Sequence, residues 1–194
     1  MSTRSGPGSS EEKAAILAEI PGLADAPDAA LLQLAELWES VELDGGYVCR
    51  EGEDADALFI LAEGECDVIR KGPRGRRFQV ARLTPGTLFG HVAPMTLSQR
   101  TASVKARGPA RVLQMTARAA REVIRSGAPP VASPFRRALV IALARQLHAA
   151  TSTTLKLARD AGRTETLVAD AEPAGPDISE EAVSETLHVA RGQL

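Results

Sequence analysis

Thr87–Val104 reads TLFGHVAPMTLSQRTASV. It follows a series of short, alternating, strand-like runs, yet it does not alternate itself. Gly90 permits a sharp backbone reversal, His91 comes directly after it, and Arg100 stands ten residues beyond Gly90. Pro94 is tolerated in the first turn of a helix, so a helix here would begin at Gly90 or His91 and run to about Leu97. Its first amides would lack intrahelical acceptors and point outward with the positive end of the dipole, a place for an anion. Arg100 then returns a charged fork to the same point, with the Thr101 hydroxyl and the Ala102 amide beside it. On its own residues the stretch reads either as an anion grip or as a surface crossover carrying a solvated arginine.

The flanking sequence supplies the setting. Glycines at 45–46, 52, 64, 72, 75, 86, 90 and 108 divide residues 39–115 into the runs YVCR, ALFILA, CDVIRK, RFQVARL, ASVKAR and ARVLQM. Several alternate apolar with polar, as a half-buried strand does. LFILAEGECDVIR reads as two strands around Gly64, which can take the positive φ of a tight hairpin. RKGPRGRR, residues 70–77, reads as a longer hairpin loop with a solvated cationic surface. Many short antiparallel strands at this spacing predict a β-sandwich or barrel.

Helical periods bracket this zone. Ile16 and Ile20 predict a short helix stopped by Pro21 and Gly22, and PDAALLQLAELWESVEL (27–43) places Leu31, Leu34, Ala35, Trp38 and Val41 on one face. TARAAREVIRSG (116–127) predicts a helix with Thr116 as N-cap and Gly127 closing it. PPVASP (129–134) reads as a breaker before a long helix over 134–158. Leu139, Leu143, Leu147, Ala150, Thr154 and Leu157 form a narrow stripe along that helix, the pattern of helix–helix pairing, and predict a homodimer interface.

The bulk numbers bound the possibilities. At 194 residues the chain can hold one ordinary domain with appendages, or two small ones at most. Residues are 44% hydrophobic but 3% aromatic, so the core is built from Leu, Val, Ile and Ala. A net charge of −2 gives no basic footprint for nucleic acid. No apolar run nears the ~18 residues of a membrane span, and the start lacks a secretory signal. Residues 1–12 read as a disordered leader. Cys49 and Cys66 lack metal-ligand spacing and read as small core residues on strands in a reducing cytoplasm. His91, His148 and His188 are scattered, and no catalytic, metal or cofactor constellation stands out. Beyond residue 160 the composition turns acidic, with AEPAGPD (171–177) as linker. A last amphipathic helix is expected there, capped by Asp177 or Ser179, with Ile178, Ala182, Val183, Leu187 and Ala190 as a face for a protein partner.

In this order, helix, β-roll, cassette, helix and long helix, the chain from Leu23 to Asp160 resembles the cyclic nucleotide-binding domain family, in the style of catabolite activator protein-like sensors. The resemblance rests on DGGYVCREGEDADALFILAEGECDVI (44–69) and LTPGTLFGHVAPMTLSQRTASV (83–104), which is similar to the family's phosphate-binding cassette in its Phe-Gly start, its Arg-x-Ala-x-Val end and the spacing from Phe89 to Arg100. It implies an α+β fold: an antiparallel β-roll of the double-stranded β-helix or jelly-roll kind, flanked by N-terminal helices and a long C-terminal helix. The domain would span 13–160, with the roll at 39–115 and 161–194 as a tail. It implies a non-enzymatic sensor of cAMP or cGMP. Gly90, His91, Val92, Arg100, Thr101 and Ala102 would hold the ligand, and Thr151 and Ser152 on the long helix would read the base. No DNA reader is expected in the short acidic segment after Asp160.

His91 departs from the family pattern, which has a glutamate there to accept the ribose 2′-hydroxyl. A neutral imidazole accepts through one nitrogen only. Losing a hydrogen bond to a charged group costs about 1.5–3 kcal/mol. Weaker nucleotide binding, a different anion, or a ligand-free fold used as a protein–protein scaffold all fit this change.

Overall fold

The run Ala57–Leu61 is apolar on both sides, and a computed structural model, which describes residues 3–5 and 8–160, shows why. Leu58 and Ile60 face one core while Phe59 and Leu61 face another. A strand buried on both faces loses its alternation.

The elements, in chain order, are β1 (Thr3–Ser5), α1 (Ser10–Ala18), α2 (Asp28–Ala35), β2 (Glu39–Cys49), β3 (Ala57–Glu63), β4 (Cys66–Lys71), β5 (Arg77–Leu83), β6 (Thr87–Phe89), α3 (Val92–Thr96), β7 (Ser103–Thr116), α4 (Ala117–Ser126) and α5 (Pro129–Asp160). The seven strands form one antiparallel sheet that curls into a roll, flanked by the N-terminal helices and the long helix. β7 is its spine. It pairs with β2 along one edge, and with β3 and then β4 along the other, so that Val112 meets both Val41 and Leu61 while Val104 meets Cys49 and Val68. Gly64 makes the β3–β4 turn at φ 85°, and a Cβ there would stand 2.6 Å from the Pro109 carbonyl oxygen.

One core fills the roll, with Cys49, Phe59, Leu61, Cys66, Phe89, Val104 and Val112. The other lies between sheet and helices and includes Leu17, Leu34, Trp38, Ile60, Leu113 and Phe135. Both cysteines are buried strand residues, and burial pushes the Cys66 thiol up to about 11, so it is inert as a nucleophile.

Several boundaries differ from the sequence expectation. α2 ends at Ala35, and Val41 of the expected helical face pairs with Val112 inside β2. Residues 39–43 also fit a strand, and sheet pairing decides the ambiguity. The expected disordered leader instead supplies edge strand β1 and the start of α1, where the Ser9 side chain accepts from the Glu12 amide. β7 runs unbroken through Gly108 and Pro109, with Pro109 beside a bulge where its missing N–H is tolerated. PPVASP does not break the chain: α5 begins at Pro129, because prolines in a first turn lack only an amide the helix does not use. Pro134 lies inside that helix. Thr116 caps α4 by accepting from the Ala119 amide at 3.2 Å.

Met1–Leu147 forms one compact unit. The described part of a second, from His148, is the helical stretch to Asp160. The amphipathic segment expected at 178–190 lies outside the described residues.

Candidate functional site

Two backbone hydrogen bonds fix the end of the cassette. The Arg100 amide donates to the Glu53 carbonyl at 2.8 Å, and the Gly52 amide donates to the Arg100 carbonyl at 2.9 Å. Asp54 bridges to Gln99 in the same ladder. The other end is held by β6, whose Phe89 pairs with Phe59 and stacks on it at 5.3 Å and 22°. Such a stack contributes about 0.5–1.5 kcal/mol beyond area burial.

Between these anchors the chain turns at Gly90, φ 66°. A Cβ there would stand 3.0 Å from Arg100 Nη1 and 3.1 Å from the Phe59 ring, so the approach of the arginine requires glycine. The expected helix is shorter than the sequence reading: α3 covers Val92–Thr96, and Leu97 beyond it takes φ 55°. A single turn of helix lends little dipole, which leaves Arg100 as the cationic group of this stretch.

The Arg100 side chain is 4% exposed. Its Nη1 donates to the Gly90 carbonyl at 2.9 Å, its Nη2 meets Asp56 Oδ1 at 3.5 Å, and its guanidinium lies 5.2 Å from the Phe59 ring centre. A guanidinium carries five N–H donors; these two contacts leave three without a protein partner among the described residues. Asp56 is 86% exposed and well solvated, so it offsets the buried charge weakly. The Arg100 charge acts on the roll interior, where it opposes the rise that burial imposes on the Cys49 thiol.

His91 presents the opposite case. It is 2% exposed, and among the described residues neither ring nitrogen has a hydrogen-bond partner. Burial pushes it down to about 4, so it is neutral at pH 7. An imidazole left unpartnered in this way costs about 1–3 kcal/mol.

Of the other expected ligand residues, Val92 and Ala102 are half-buried and Thr101 is exposed. Thr151 is exposed and Ser152 half-buried, both on the part of α5 that belongs to the second unit. Of the expected dimer stripe, Leu139 is buried in the helical core, Leu143, Leu147 and Ala150 are exposed, and the exposed Thr154 donates to the Ala150 carbonyl at 3.0 Å. The Leu157 side chain lies outside the description. Asp56 and Glu53 were not foreseen: EGEDAD offers four acids and no sign of which faces Arg100.

Grooves of ≈ 680 Å³ and ≈ 400 Å³ lie elsewhere, and neither is lined by Gly90, His91 or Arg100. The larger includes Arg111, whose guanidinium is already held by Glu12 and Glu63. Size therefore ranks below chemistry here. Among the described residues no His/Cys/Asp/Glu group is placed for a metal, and no helix is long and apolar enough to cross a membrane.

Residues 43–126 match the model of the cyclic nucleotide-binding domain. It is 30% identical over 95 residues to a cAMP-dependent protein kinase regulatory subunit of Blastocladiella emersonii, 48% of this chain and 24% of that protein. The chain thus spans about a quarter of that relative's length. Its fold is similar to a cyclic nucleotide-binding domain from Methylobacillus flagellatus, with a TM-score of 0.72, 17% identity and coverage of 79% of this chain and 88% of that one. It is also similar to the catabolite activator protein of Thermus thermophilus, with a TM-score of 0.62, 22% identity and coverage of 71% and 63%.

Proposed function

We propose that the chain is a non-enzymatic, cytoplasmic regulatory module that binds cAMP, cGMP or a similar small anion through the cassette at 89–102. Arg100 carries the reading. A buried guanidinium with three donors unpartnered among the described residues and one solvated carboxylate at 3.5 Å suits a further anion. Gly90, His91, Val92, Thr101 and Ala102 are its further proposed contacts within the cassette. Binding shifts the long helix by its difference in affinity between two arrangements, and by no more than that.

Calorimetric titration with cAMP and cGMP tests this. Heat of binding is expected, and Arg100→Ala should lower affinity at least about a hundredfold, the loss of two charge-assisted hydrogen bonds. No binding of either nucleotide at millimolar concentration, or binding unchanged in the variant, would refute it. A second reading, a ligand-free scaffold for protein contact, draws on the unpartnered His91; absence of nucleotide binding would favour it.

The module acts as a homodimer through the exposed part of the α5 stripe, Leu143, Leu147, Ala150 and Thr154, with Leu157 continuing it. Sedimentation velocity should show a dimer that Leu143→Glu converts to monomer. An unchanged species would remove the stripe from the interface.

A further inference from the structure

Five cations fall within the eight positions from Arg70 to Arg77, with no acid among them. Elsewhere in the unit Arg50, Arg82, Arg107, Arg111 and Arg137 each stand within 4.0 Å of a carboxylate. Among the described residues none of Arg70, Lys71, Arg74, Arg76 and Arg77 does. Arg77 Nη1 donates to the Tyr47 hydroxyl at 3.0 Å, and Lys105 lies 5.7 Å from the Tyr47 ring centre. In a chain of net charge −2 this is a net positive surface concentrated on one hairpin.

The surface is concave. The ≈ 400 Å³ groove is lined by Tyr47, Ile69, Arg70, Lys71, Arg77 and Ser103, among others. Glu51 and Glu53 also line it, where Glu51 accepts the Lys71 amide at 2.7 Å and Glu53 the Arg50 amide at 2.8 Å, and the lining cations Arg50, Arg70, Lys71 and Arg77 outnumber these two carboxylates. Beside the cations, Phe78 and Val80 of β5 are 44% and 49% exposed. β5 pairs with β4 alone, and Val80 forms a bulge in that pairing. Charges and a bulge disfavour strand addition at an edge, so recognition here falls to side chains.

We propose that the β4–β5 hairpin is a docking surface for an acidic segment of a partner protein, with carboxylates in the groove and an apolar side chain against Phe78 and Val80. Arginine forks match carboxylates in pairs of parallel hydrogen bonds. Single carboxylate side chains reach into a groove where a flat bilayer does not. Nucleic acid is disfavoured because Arg50 lies 3.9 Å from the Tyr47 ring centre, where a base would stack, and the net charge gives no long-range attraction. The groove adjoins the cassette through Gly52, Glu53 and Ser103, but its cations lie outside the cassette, so a chain that binds no nucleotide would still bind this partner.

The test is fluorescence anisotropy of the whole chain with a labelled peptide of alternating Glu and Asp around a central Leu-Phe pair. Saturable binding that weakens with salt is expected. Arg70→Glu/Arg74→Glu/Arg76→Glu should reduce affinity at least about tenfold and Phe78→Ser by several-fold, with nucleotide binding and melting temperature unchanged. If charge reversal unfolds the chain, Arg70→Gln/Arg74→Gln/Arg76→Gln replaces it, with a smaller loss in the same direction. Absent peptide binding, equal affinity in these variants, or tighter binding to oligouridylate or phosphatidylserine vesicles than to the peptide would each overturn the proposal.

Discussion

Two buried polar side chains end the same short segment, and the fold treats them oppositely. Arg100 is held by the Gly90 carbonyl, faces Asp56 and lies near the Phe59 ring, with donors to spare. His91 is as deeply buried and has no partner on either nitrogen among the described residues. A buried charge survives when the surrounding groups hold it in place, and a buried neutral group without partners is tolerated at a cost. The arginine end is therefore organised before any ligand arrives, while the histidine end is not.

The largest expected effect separates the two ends by function. Arg100→Ala should lower nucleotide affinity at least about a hundredfold in the titration proposed above. If affinity instead survived, the contrast would be structural only, and the arginine would serve to pin Gly90 against the 52–54 turn.

The second effect falls on the histidine end and on stability. His91 drops from its ordinary 6.5 to about 4 on folding because burial disfavours its charged form. Between these values the unfolded chain binds a proton that the folded chain does not, so stability is lost as pH falls from 6.5 towards 4. At about 1.4 kcal/mol per pH unit the loss amounts to about 3 kcal/mol. Urea denaturation across that window should show it, and His91→Leu should remove this part of the acid sensitivity while leaving stability at pH 7 equal or higher. An identical pH profile in the variant would mean that other groups carry the loss.

Much of the roll was legible because its signals are local. Gly64 between two apolar runs, Thr116 before an amphipathic run and Gly90 ahead of Arg100 are each read within a few residues. What escaped depends on distant partners. Residues 39–43 fit helix and strand equally until Val112 is beside Val41. Thr3–Ser5 becomes a strand because β2 offers it an edge. At the site, Arg100 and His91 were visible as residue types, but nothing in the order of letters distinguishes an arginine with spare donors from a solvated one. The identity of Asp56 as its carboxylate, forty-four residues away, required the fold.

The central claim is that the cassette retains its anion end and lacks a charged acceptor at its sugar end. Calorimetry of His91→Glu with cAMP and cGMP tests this most directly. Restoring a carboxylate should raise affinity about tenfold or more, and Arg100→Ala in the same background should abolish the gain. Unchanged or weaker binding in His91→Glu, with the fold intact, would contradict the claim.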